Sequence, residues 1–487
     1  MLEEQARAPL FEALLAYADR RITPLHTPGH KGSRAAGGEP GLLALLTPRG
    51  LSCDLPSLDA TDNLRHPTGA IAAAQRLAAE LYGAEETIFL TGGSTQGMHT
   101  MLLAALAPGQ EVIVARNVHL SAFAGLVLSG AIPRYLPASS HGRAGLLPPT
   151  LDEVQAALAA HPAARAVLLT QPSYYGLGQD LREIARACHA RGVALLVDEA
   201  HGAHLRFLPE GHACSALDEG ADLVVQSAHK TLDSLVGSAW IHRARGSVVS
   251  ADRLHAAFNL LCSTSPSHLA LASLDLSRRD LARDGRERFA AATERALALR
   301  AALAALPGLD VLEASAFAGL RTLTLDPLRM TIDVSGLGVD GFACERRLRD
   351  EHGLYGEWAD RRNVGYVLGP PDAPQTYARL LSAFATLSAE GAALEPATHD
   401  PITRLAFAPL VLTPREAASR PTRPVALESA LGQLAGEIVT VYPPGIPLIC
   451  PGERFTPEVI DELVRLRALE APLLARDPTI ETVLVLA

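Results

Sequence analysis

The stretch of sequence that decides the fold is VALLVDEAHGAHLRFLPEGHACSALDEGADLVVQSAHK, residues 193–230. It contains two short apolar runs, Val193–Val197 and Asp222–Gln226, and each run is followed at once by a cluster of polar residues. Short apolar runs bounded by turn-forming residues are typical of strands buried on both faces of a parallel sheet. The stretch therefore predicts two neighbouring strands, with Asp198 and Lys230 just beyond their carboxyl ends.

The same alternation of apolar runs and helical patterns continues towards the N-terminus. The further predicted strands are Thr87–Thr91, Glu111–Ala115 and Ala166–Thr170, and the predicted helices are Thr68–Tyr82, Thr95–Leu106, Leu151–Ala160 and Leu181–Arg191. This order predicts an α/β fold in which helices cover both faces of a mostly parallel sheet.

The 487 residues are enough for two or three domains. Residues 1–65 are predicted to form an N-terminal helix and an extended arm rich in Gly and Pro, and residues 66–306 a large domain that ends in a long helix near Leu269–Leu306. Residues 307–412, with strands at Arg329–Val334 and Gly365–Leu368, are predicted to form a small α+β domain. Residues 413–487 follow a Pro-rich junction and are predicted to form a C-terminal tail domain.

The composition predicts a globular protein, with 48% hydrophobic and 20% charged residues. The net charge of −10 argues against a nucleic acid or a membrane surface as partner. Six scattered cysteines without a CxxC pair are typical of free thiols in a reducing compartment. The N-terminus is unlike a signal peptide, and no apolar run approaches the roughly 20 residues that span a bilayer. We therefore expect a cytoplasmic protein with neither a nucleic-acid nor a membrane partner.

Lysine is scarce in this chain. Of the 43 basic residues only Lys31 and Lys230 are lysine, and all others are arginine. An amine can lose its proton and form a Schiff base with a carbonyl, whereas a guanidinium stays protonated. Chance survival of two surface lysines is the alternative explanation. The sequence assigns no chemical step to Lys31.

Five unusual polar clusters each follow a predicted strand. They are Gly92-Gly93-Ser94-Thr95, Asn117-Val118-His119, Gln171 to Gly176, Asp198-Glu199-Ala200-His201 and Ser227-Ala228-His229-Lys230. In parallel α/β sheets ligands bind outside the carboxyl ends of the strands. The five clusters are therefore predicted to meet in one crevice.

Each cluster offers a chemical group to a ligand. The Gly92–Thr95 turn before a helix offers an anion cradle, although an ordinary capped helix would have the same pattern. Asp198 at a buried strand end needs a cationic partner or a protonated ring nitrogen. His201, His204 and Asp198 resemble metal ligands, but no cysteine or second histidine set lies nearby, so we expect no metal site.

A helicase reading of Asp198-Glu199-Ala200-His201 is excluded, because the chain has no phosphate loop to accompany it. An amine nucleophile, a strand-end carboxylate, a phosphate cradle and a histidine that can stack on a flat ring together match the needs of pyridoxal 5′-phosphate. The lysine would hold the aldehyde of that cofactor, and the carboxylate would keep its ring nitrogen protonated.

With these residues in place, the sequence resembles the Orn/Lys/Arg decarboxylases of the aspartate-aminotransferase fold (fold type I). It resembles their short bacterial form, which lacks an N-terminal receiver-like domain. The matching motifs run nearly from end to end: His26–Gly32, Asp62-Asn63-Leu64, His66–Gly69, Gly93-Ser94-Thr95, Pro172–Gly176, Asp198–Gly202, Ser227–Lys230, Ser263–Ser267, Ala272–Asp275, Tyr442–Pro447 and Pro451-Gly452-Glu453.

The resemblance implies a role for each cofactor residue. Lys230 would form the Schiff base, Asp198 would pair with the ring nitrogen, His119 would stack on the ring, and His201 would help to position it. The residues implied for the phosphate are Ser94, Thr95, Ser227 and His229.

The resemblance further implies a homodimer or dimer-based oligomer with shared active sites. Thr264 and Ser265 would then reach the phosphate of the partner subunit. Glu453, Glu357 and Asp360 are the candidate acids for the distal cation of a basic amino-acid substrate, and the sequence does not choose among them.

Three positions depart from the family pattern. Leu120 replaces the usual lysine after the stacking histidine, Val236-Gly237 replaces Thr-Gln, and His268 replaces an aromatic residue. These changes leave the cofactor residues intact and bear on substrate choice and activity.

The function that the resemblance implies is decarboxylation of a basic amino acid in polyamine metabolism. Arginine to agmatine is favoured because short members of the family are often biosynthetic arginine decarboxylases, followed by lysine to cadaverine and ornithine to putrescine. One alternative is aminotransfer or aldol cleavage on the same fold, and an aminotransferase would hold the α-carboxylate with an arginine, for which the candidates are Arg321, Arg329, Arg346 and Arg361. The other alternative is an inactive homologue that regulates a partner.

Overall fold

The computed structural model describes residues 2–19, 48–318, 323–391, 403–405, 407–443 and 445–487. Lys31 and the His26–Gly32 motif, Arg321 and Pro444 lie outside the described residues. Within the described residues no helix is both long enough and apolar enough to cross a membrane.

The helices lie mainly in the first four-fifths of the chain. They are α1 (Leu2–Gln5), α2 (Pro9–Asp19), α3 (Pro48–Cys53), α4 (Ala70–Tyr82), α5 (Gly93–Ala105), α6 (Leu120–Ser129), α7 (Leu151–Ala160), α8 (Leu181–His189), α9 (Ala228–Thr231), α10 (Ala251–Leu261), α11 (His268–Ala304), α12 (Gly341–His352), α13 (Pro374–Glu390), α14 (Pro414–Ala418) and α15 (Pro457–Ala468).

The strands form one large sheet and several small ones. They are β1 (Glu86–Leu90), β2 (Glu111–Val114), β3 (Ile132–Tyr135), β4 (Ala138–His141), β5 (Gly145–Leu146), β6 (Ala164–Thr170), β7 (Leu177–Gly178), β8 (Ala194–Asp198), β9 (Leu223–Gln226), β10 (Ala239–Arg243), β11 (Asp310–Val311), β12 (Thr324–Leu325), β13 (Arg329–Asp333), β14 (Trp358–Ala359), β15 (Asn363–Val367), β16 (Thr403–Leu405), β17 (Thr422–Ala426), β18 (Val439–Val441), β19 (Pro447–Ile449), β20 (Leu473–Leu474) and β21 (Thr482–Leu486).

The central sheet has seven strands in the order β1-β10-β9-β8-β6-β2-β3. Strands β9, β8, β6, β2 and β3 are parallel neighbours, and β10 runs antiparallel between β1 and β9. The expected α/β class with a mostly parallel sheet is confirmed, and the five predicted strands of this sheet begin and end within two residues of the observed ones. Because the parallel strands share one direction, their carboxyl ends open on the same edge.

Strand β10 was not among the predicted strands. Its sequence, Ala-Trp-Ile-His-Arg, is buried throughout but ends in His242 and Arg243, so it lacks an apolar run. His242 is tolerated in the core because its Nδ1 lies 2.7 Å from the Thr87 hydroxyl and its Nε2 lies 3.1 Å from Gln226 Oε1. A buried polar side chain with both partners in place costs little, and only the tertiary structure supplies those partners.

The N-terminal helical stretch is divided into α1 and α2, with Pro9 at the start of α2. It is held against α11 by a buried ion pair between Asp275 and Arg278. The Asp275 carboxylate accepts the Leu10 N–H, and Arg278 donates to the carbonyl oxygens of Gln5, at the end of α1, and of Arg7. This contact explains the Ala272–Asp275 motif as an anchor for the N-terminus. Residues 48–53, which were expected to belong to an extended arm, form the helix α3.

The Asp62 motif also has a structural explanation. Asp62 adopts a left-handed backbone with φ of 68°, and its carboxylate accepts N–H groups from Thr68, Gly69 and Ile71. A carboxylate at this place satisfies the free N–H groups at the start of α4. The described part of the predicted arm therefore ends in a fixed turn that leads into the large sheet.

A four-stranded antiparallel sheet, β11-β13-β15-β14, follows the long helix α11. Further along, residues between 408 and 485 enclose a hydrophobic cluster of their own. The boundaries predicted for the small and tail domains stay predictions.

Candidate active site

The polar clusters after the central strands surround a cavity of about 280 Å³. All five predicted clusters contribute to its wall. The lining residues are Gly92, Gly93, Ser94, Thr95, Asn117, His119, Thr170, Pro172, Tyr174, Asp198, Ala200, His201, Ser227, His229, Lys230, Val236, Gly237, Tyr442 and Ile446. The structure thus brings together every residue that was predicted to hold the cofactor except Thr264 and Ser265. The role of each stays a prediction.

Lys230 lies on the single turn α9, directly after β9. Its Nζ is 3.1 Å from His201 Nε2. Burial lowers the pKa of the Lys230 ammonium, and the nearby Asp198 carboxylate opposes this shift without cancelling it. A lysine with a lowered pKa loses its proton more easily and is then a nucleophile.

Asp198 ends β8 and is 5% exposed. Its Oδ1 accepts the Ala200 N–H at 3.1 Å. Burial raises the pKa of this carboxyl group, while the Lys230 cation lowers it. A buried carboxylate with few hydrogen-bond donors is stabilised by a cation or a protonated ring nitrogen placed in the cavity.

His201 is buried at the floor of the cavity. Burial lowers the pKa of its imidazole well below the ordinary value, and the Lys230 cation adds to the shift. The ring is therefore neutral, and its Nε2 can accept an N–H from Lys230 Nζ. The Tyr174 ring meets it edge-on, with ring centroids 4.9 Å apart.

His119 is the N-cap residue of α6, where its Nδ1 accepts the Ser121 N–H at 3.2 Å. Burial lowers the pKa of this imidazole to about 4, helped by the Lys230 cation. A neutral ring with one nitrogen engaged by its own helix presents a flat face of fixed orientation. That arrangement suits stacking on an aromatic ligand.

The predicted anion cradle is the first turn of α5, where Ser94 and Thr95 line the cavity. The Gly93 N–H donates to the carbonyl oxygen of Gly237 at 2.8 Å. Gly237 has a φ of +86°, in the left-handed region that favours glycine. The family departure at this position therefore supports the turn that opens the cradle. His229 completes this side, with its Nδ1 2.9 Å from the Ser238 carbonyl oxygen.

Several buried polar atoms in the cavity wall have no hydrogen-bond partner among the described residues. They are Asn117 Oδ1 and Nδ2, Thr170 Oγ1, His201 Nδ1 and Ser227 Oγ. These residues lie at or just beyond the ends of β2, β6, β8 and β9, which are neighbours in the sheet. Buried polar groups in proteins are almost always hydrogen-bonded. The row of free atoms therefore fits a polar ligand such as pyridoxal phosphate.

Four polar residues of the wall have no role in the sequence-based prediction. Asn117, Thr170, Tyr174 and Tyr442 all lay inside or beside motifs that had been noted, but their residue types alone did not mark them as ligand-facing. Burial without a hydrogen-bond partner is the signal that identifies Asn117 and Thr170, and this signal exists only in three dimensions.

The three candidate acids for the substrate side chain do not line the cavity. Glu357 is exposed and accepts a hydrogen bond from the Tyr174 hydroxyl at 3.3 Å, so it lies behind the wall at that point. The Asp360 carboxylate is occupied by the Tyr175 hydroxyl and by Asn363. Glu453 is fully buried in an ion pair with Arg116. The substrate-binding roles of all three stay predictions.

Ser265 is exposed and lies outside the cavity wall of its own protomer, as does its neighbour Thr264. Its N–H donates to the Ser263 hydroxyl at 3.1 Å. Its predicted contact with the phosphate of a partner subunit stays a prediction.

Of the three described arginines considered for an α-carboxylate, Arg329, Arg346 and Arg361, Arg329 is the one that contacts a residue of the cavity wall. Its Nη2 donates to the Tyr174 carbonyl oxygen at 2.7 Å, and its guanidinium lies 5.0 Å from the centroid of the Tyr174 ring. Tyr174 lines the cavity and Arg329 does not. Arg346 and Arg361 are also outside the wall.

Solved structures share this architecture. Lysine decarboxylase A from Pseudomonas aeruginosa aligns with a TM-score of 0.84 at 22% identity, over 98% of this chain and 80% of that chain. The constitutive lysine decarboxylase of E. coli aligns with a TM-score of 0.83 at 21% identity, over 99% of this chain and 82% of that chain. These likenesses show the fold.

Sequence comparisons show the family. The sequence profile described as "Orn/Lys/Arg decarboxylase, major domain" matches residues 8–319, and its C-terminal domain profile matches residues 404–472. The chain is 34% identical to a protein named arginine decarboxylase from Halalkalibacterium halodurans, over 93% of this chain and 92% of the relative. The arginine decarboxylase of Bacillus subtilis is also 34% identical, over 95% of this chain and 94% of the relative. The chain therefore belongs to the Orn/Lys/Arg decarboxylase family.

Proposed function

We propose that this protein is a pyridoxal-phosphate-dependent decarboxylase of a basic amino acid, with arginine as the first choice of substrate. The observation that carries the proposal is the pair of Lys230 and Asp198 in one cavity with the anion cradle of α5. The relatives named arginine decarboxylase support arginine over lysine and ornithine.

Each part of the cofactor would be held by different cavity residues. Lys230 would hold the aldehyde carbon, Asp198 the ring nitrogen, and His119 the flat face of the ring. Ser94, Thr95, Ser227 and His229 would hold the phosphate. When bound, pyridoxal phosphate supplies a carbonyl for amines and an electron sink for the electrons left behind by departing carbon dioxide.

The protein's own groups control the protons around the reacting carbon. Neutral His201 accepts an N–H of Lys230 at Nε2, which orients the amine across the cavity. The ionised form of Asp198 would keep a ring nitrogen protonated, and this pairing would be strong because the carboxylate is shielded from water. The Lys230 amine, at the same cavity wall, would carry a proton to the carbon that loses carbon dioxide.

Glu357 is the acid that we place first for the distal cation of the substrate. It is exposed and reaches the cavity wall through Tyr174, whereas Asp360 and Glu453 are occupied by protein partners. An exposed carboxylate close to the cavity wall attracts a long cationic side chain at small desolvation cost.

We also propose a homodimer with shared active sites. Val236 lines the cavity yet is 89% exposed, and Leu235 and Tyr442 beside it are about half exposed. A second subunit would cover these apolar side chains and bring Ser265 to the phosphate of its partner.

The rival aminotransferase function requires an arginine for the α-carboxylate. Arg329 lies outside the cavity wall, with its guanidinium 5.0 Å from the centroid of the Tyr174 ring. The relatives named arginine decarboxylase favour decarboxylation over aminotransfer.

The test is a release assay for carbon dioxide with arginine, lysine and ornithine, run beside an assay for keto acids. We expect carbon dioxide and the matching amine, with arginine the best substrate, and no keto acid. A yellow purified protein would add support against an inactive homologue. Keto acid without carbon dioxide would contradict the proposal, and so would a protein that takes up no cofactor.

A further inference from the structure

The C-terminal loop, defined here as Tyr442, Pro443, Gly445 and Ile446, forms part of the cavity wall. The Leu120 N–H at the start of α6 donates to the Gly445 carbonyl oxygen at 2.9 Å. The rings of Tyr442 and His119 lie 6.4 Å apart, measured between centroids. The loop therefore contacts His119, which is proposed to stack on the cofactor, and Leu120, the first residue of α6.

Gly445 meets the imidazole of His119 directly. A Cβ added at Gly445 would lie 3.0 Å from His119 Cδ2 and Nε2 and 2.9 Å from Tyr442 Cδ2. Its φ of +78° is in the left-handed region, so a side chain there is strained as well as crowded. On its other edge the imidazole accepts the Ser121 N–H. His119 is thus held between the first turn of α6 and the bare backbone of Gly445.

A second contact fixes the same connection from the other end. Arg116 lies three residues before His119, between β2 and α6. Its Nη2 is 3.0 Å from Glu453 Oε2, and the two side chains are 2% and 0% exposed. The same carboxylate oxygen accepts the Cys450 N–H at 2.8 Å.

The ion pair is enclosed by aromatic rings. The Arg116 guanidinium lies 5.1 Å from the centroid of Tyr135 and 4.6 Å from that of Phe407. Arg116 Nε and Glu453 Oε1 have no hydrogen-bond partner among the described residues. Removing either charge therefore leaves the other buried and unpaired, which is costly and moves the backbone that carries it.

We infer that the C-terminal loop and Glu453 position His119, and that Gly445 and Glu453 are positioning residues for the cofactor ring. Gly445 acts through the imidazole, and Glu453 acts through Arg116. The inference rests on the proposed function, in which His119 stacks on pyridoxal phosphate. It gives Glu453 a place in the structure other than reading the distal cation of the substrate.

The main experiment compares Gly445→Ala with Gly432→Ala, each titrated with pyridoxal phosphate as apoprotein. Gly432 is the matched control, because it lies in the same part of the chain with a φ of +79° and no atom within 4 Å of an added Cβ. Displacing a positioned side chain by about 1 Å can cost roughly 100-fold. We therefore expect the affinity of G445A for pyridoxal phosphate to be about 10- to 100-fold lower than that of wild type, and the affinity of G432A to equal it. Equal affinities of G445A and wild type, or equal losses in the two variants, would overturn the inference.

A second measurement needs no cofactor. Amide hydrogen exchange over residues 117–123 of the apoprotein should be faster in G445A and in Glu453→Gln than in wild type, because the Leu120 N–H loses its fixed acceptor or its connection shifts. The control for the second variant is Glu437→Gln, since Glu437 accepts the N–H groups of Arg476 and Leu484, away from His119. If E453Q does not fold, the G445A and G432A pair decides the role of Gly445, and Glu453→Asp, which keeps the charge on a shorter side chain, replaces E453Q in the exchange measurement.

The outcomes also separate this inference from the proposed function. A raised KM for arginine in E453Q, with unchanged cofactor affinity and unchanged exchange, would assign Glu453 to the substrate and overturn its positioning role. A wild-type protein that binds no pyridoxal phosphate and releases no carbon dioxide would overturn the proposed function and the inference together. Normal wild-type binding with an unaffected G445A would overturn the inference alone.

Discussion

Asp198 and Glu199 are neighbours at the end of β8, and both are buried, but they have different hydrogen-bond partners. Asp198 faces the cavity, where its Oδ1 accepts the Ala200 N–H and the Lys230 ammonium lies nearby. Glu199 is fully buried in the core, where it accepts hydrogen bonds from the Ser215 hydroxyl, the Ala216 N–H and the Gln226 amide. Burial raises the pKa of both carboxyl groups.

The two carboxyl groups differ in whether the protein supplies enough hydrogen-bond donors. Protein groups donate hydrogen bonds to both carboxyl oxygens of Glu199. One of the donors, Gln226, is itself hydrogen-bonded through its side-chain oxygen to Trp240 and His242 of β10. Asp198 is left short of donors beside a cation and in contact with the cavity. A satisfied buried carboxylate serves the fold, whereas one with spare capacity at a cavity serves a ligand.

The largest expected loss of activity comes from removing Lys230, the cation near Asp198 in the cavity. Lys230→Ala removes the amine that would bind the cofactor aldehyde, so carbon dioxide release should fall by about 1,000-fold or more. The visible absorbance of the bound cofactor should disappear with it. Lys230→Arg is the matched control, because it keeps a cation near Asp198 but cannot form a Schiff base. Decarboxylation at the wild-type rate in K230A would refute the proposed mechanism.

The pH dependence of stability should report on Glu199. Burial raises the pKa of Glu199 from 4.5 to about 8, so the folded protein keeps a proton that the unfolded chain has lost between these values. The stability that the protonated form contributes is therefore present below pH 4.5 and is lost as the pH rises towards 8, by about 5 kcal/mol. The melting temperature of the wild-type apoprotein should fall between about pH 5 and about pH 8.

Glu199→Gln has no proton to lose, so it should lack this component of the decline in Tm. Its amide cannot accept all the hydrogen bonds of the carboxyl group, which lowers stability by about 1 kcal/mol below pH 4.5, where Glu199 of the wild type is protonated. Carbon dioxide release should stay near the wild-type rate. An unchanged slope of Tm against pH in E199Q would show that Glu199 does not titrate in this range.

Asp198→Asn should give the reverse pattern. The ring nitrogen would lose its ionised partner, so carbon dioxide release should fall by about 100-fold, while the apoprotein should melt at or above the wild-type temperature because a buried charge has been removed. Activity assays and thermal melts of D198N and E199Q, measured together, test the comparison directly. A large loss of activity in E199Q with none in D198N would invert it.

The smallest effect on activity is expected at Glu357, which is exposed, unlike Asp198 and Glu199. Glu357→Gln should raise the KM for arginine by about tenfold with a smaller change in kcat, since it removes one charge that attracts the substrate cation. Glu351→Gln, on the exposed side of α12, is the control. An unchanged KM would show that Glu357 does not bind the distal cation of the substrate.

Much of the cavity followed from local sequence. Apolar runs gave β8 and β9, and the polar residues after them had to meet because parallel strands open on one edge. Asp198, His201, His119 and Lys230 were predicted in this way, and they line one cavity. Asn117 and Thr170 were not given roles, since a single Asn or Thr after a strand is common and only its missing partners distinguish it.

Contacts between distant segments of the chain could not be predicted from the sequence, for a different reason. Glu453 was expected near the substrate because its motif is characteristic of the family, yet its carboxylate lies against Arg116, 337 positions away in the chain. Strand β10 was missed because the partners of His242 come from Thr87 and Gln226. Such pairings depend on which elements become neighbours, and no local pattern encodes that.

The sequence by itself therefore determined the strand and helix order, the chemical groups at the strand ends and the resemblance to a decarboxylase family, because these depend on local periodicity and residue type. The tertiary structure alone decided which carboxylate faces the cavity and which is satisfied in the core, and it placed Gly445 against His119. The physical reason is that burial and hydrogen-bond partners arise from packing between distant segments. Residue type states what a side chain can do, and its surroundings decide what it does.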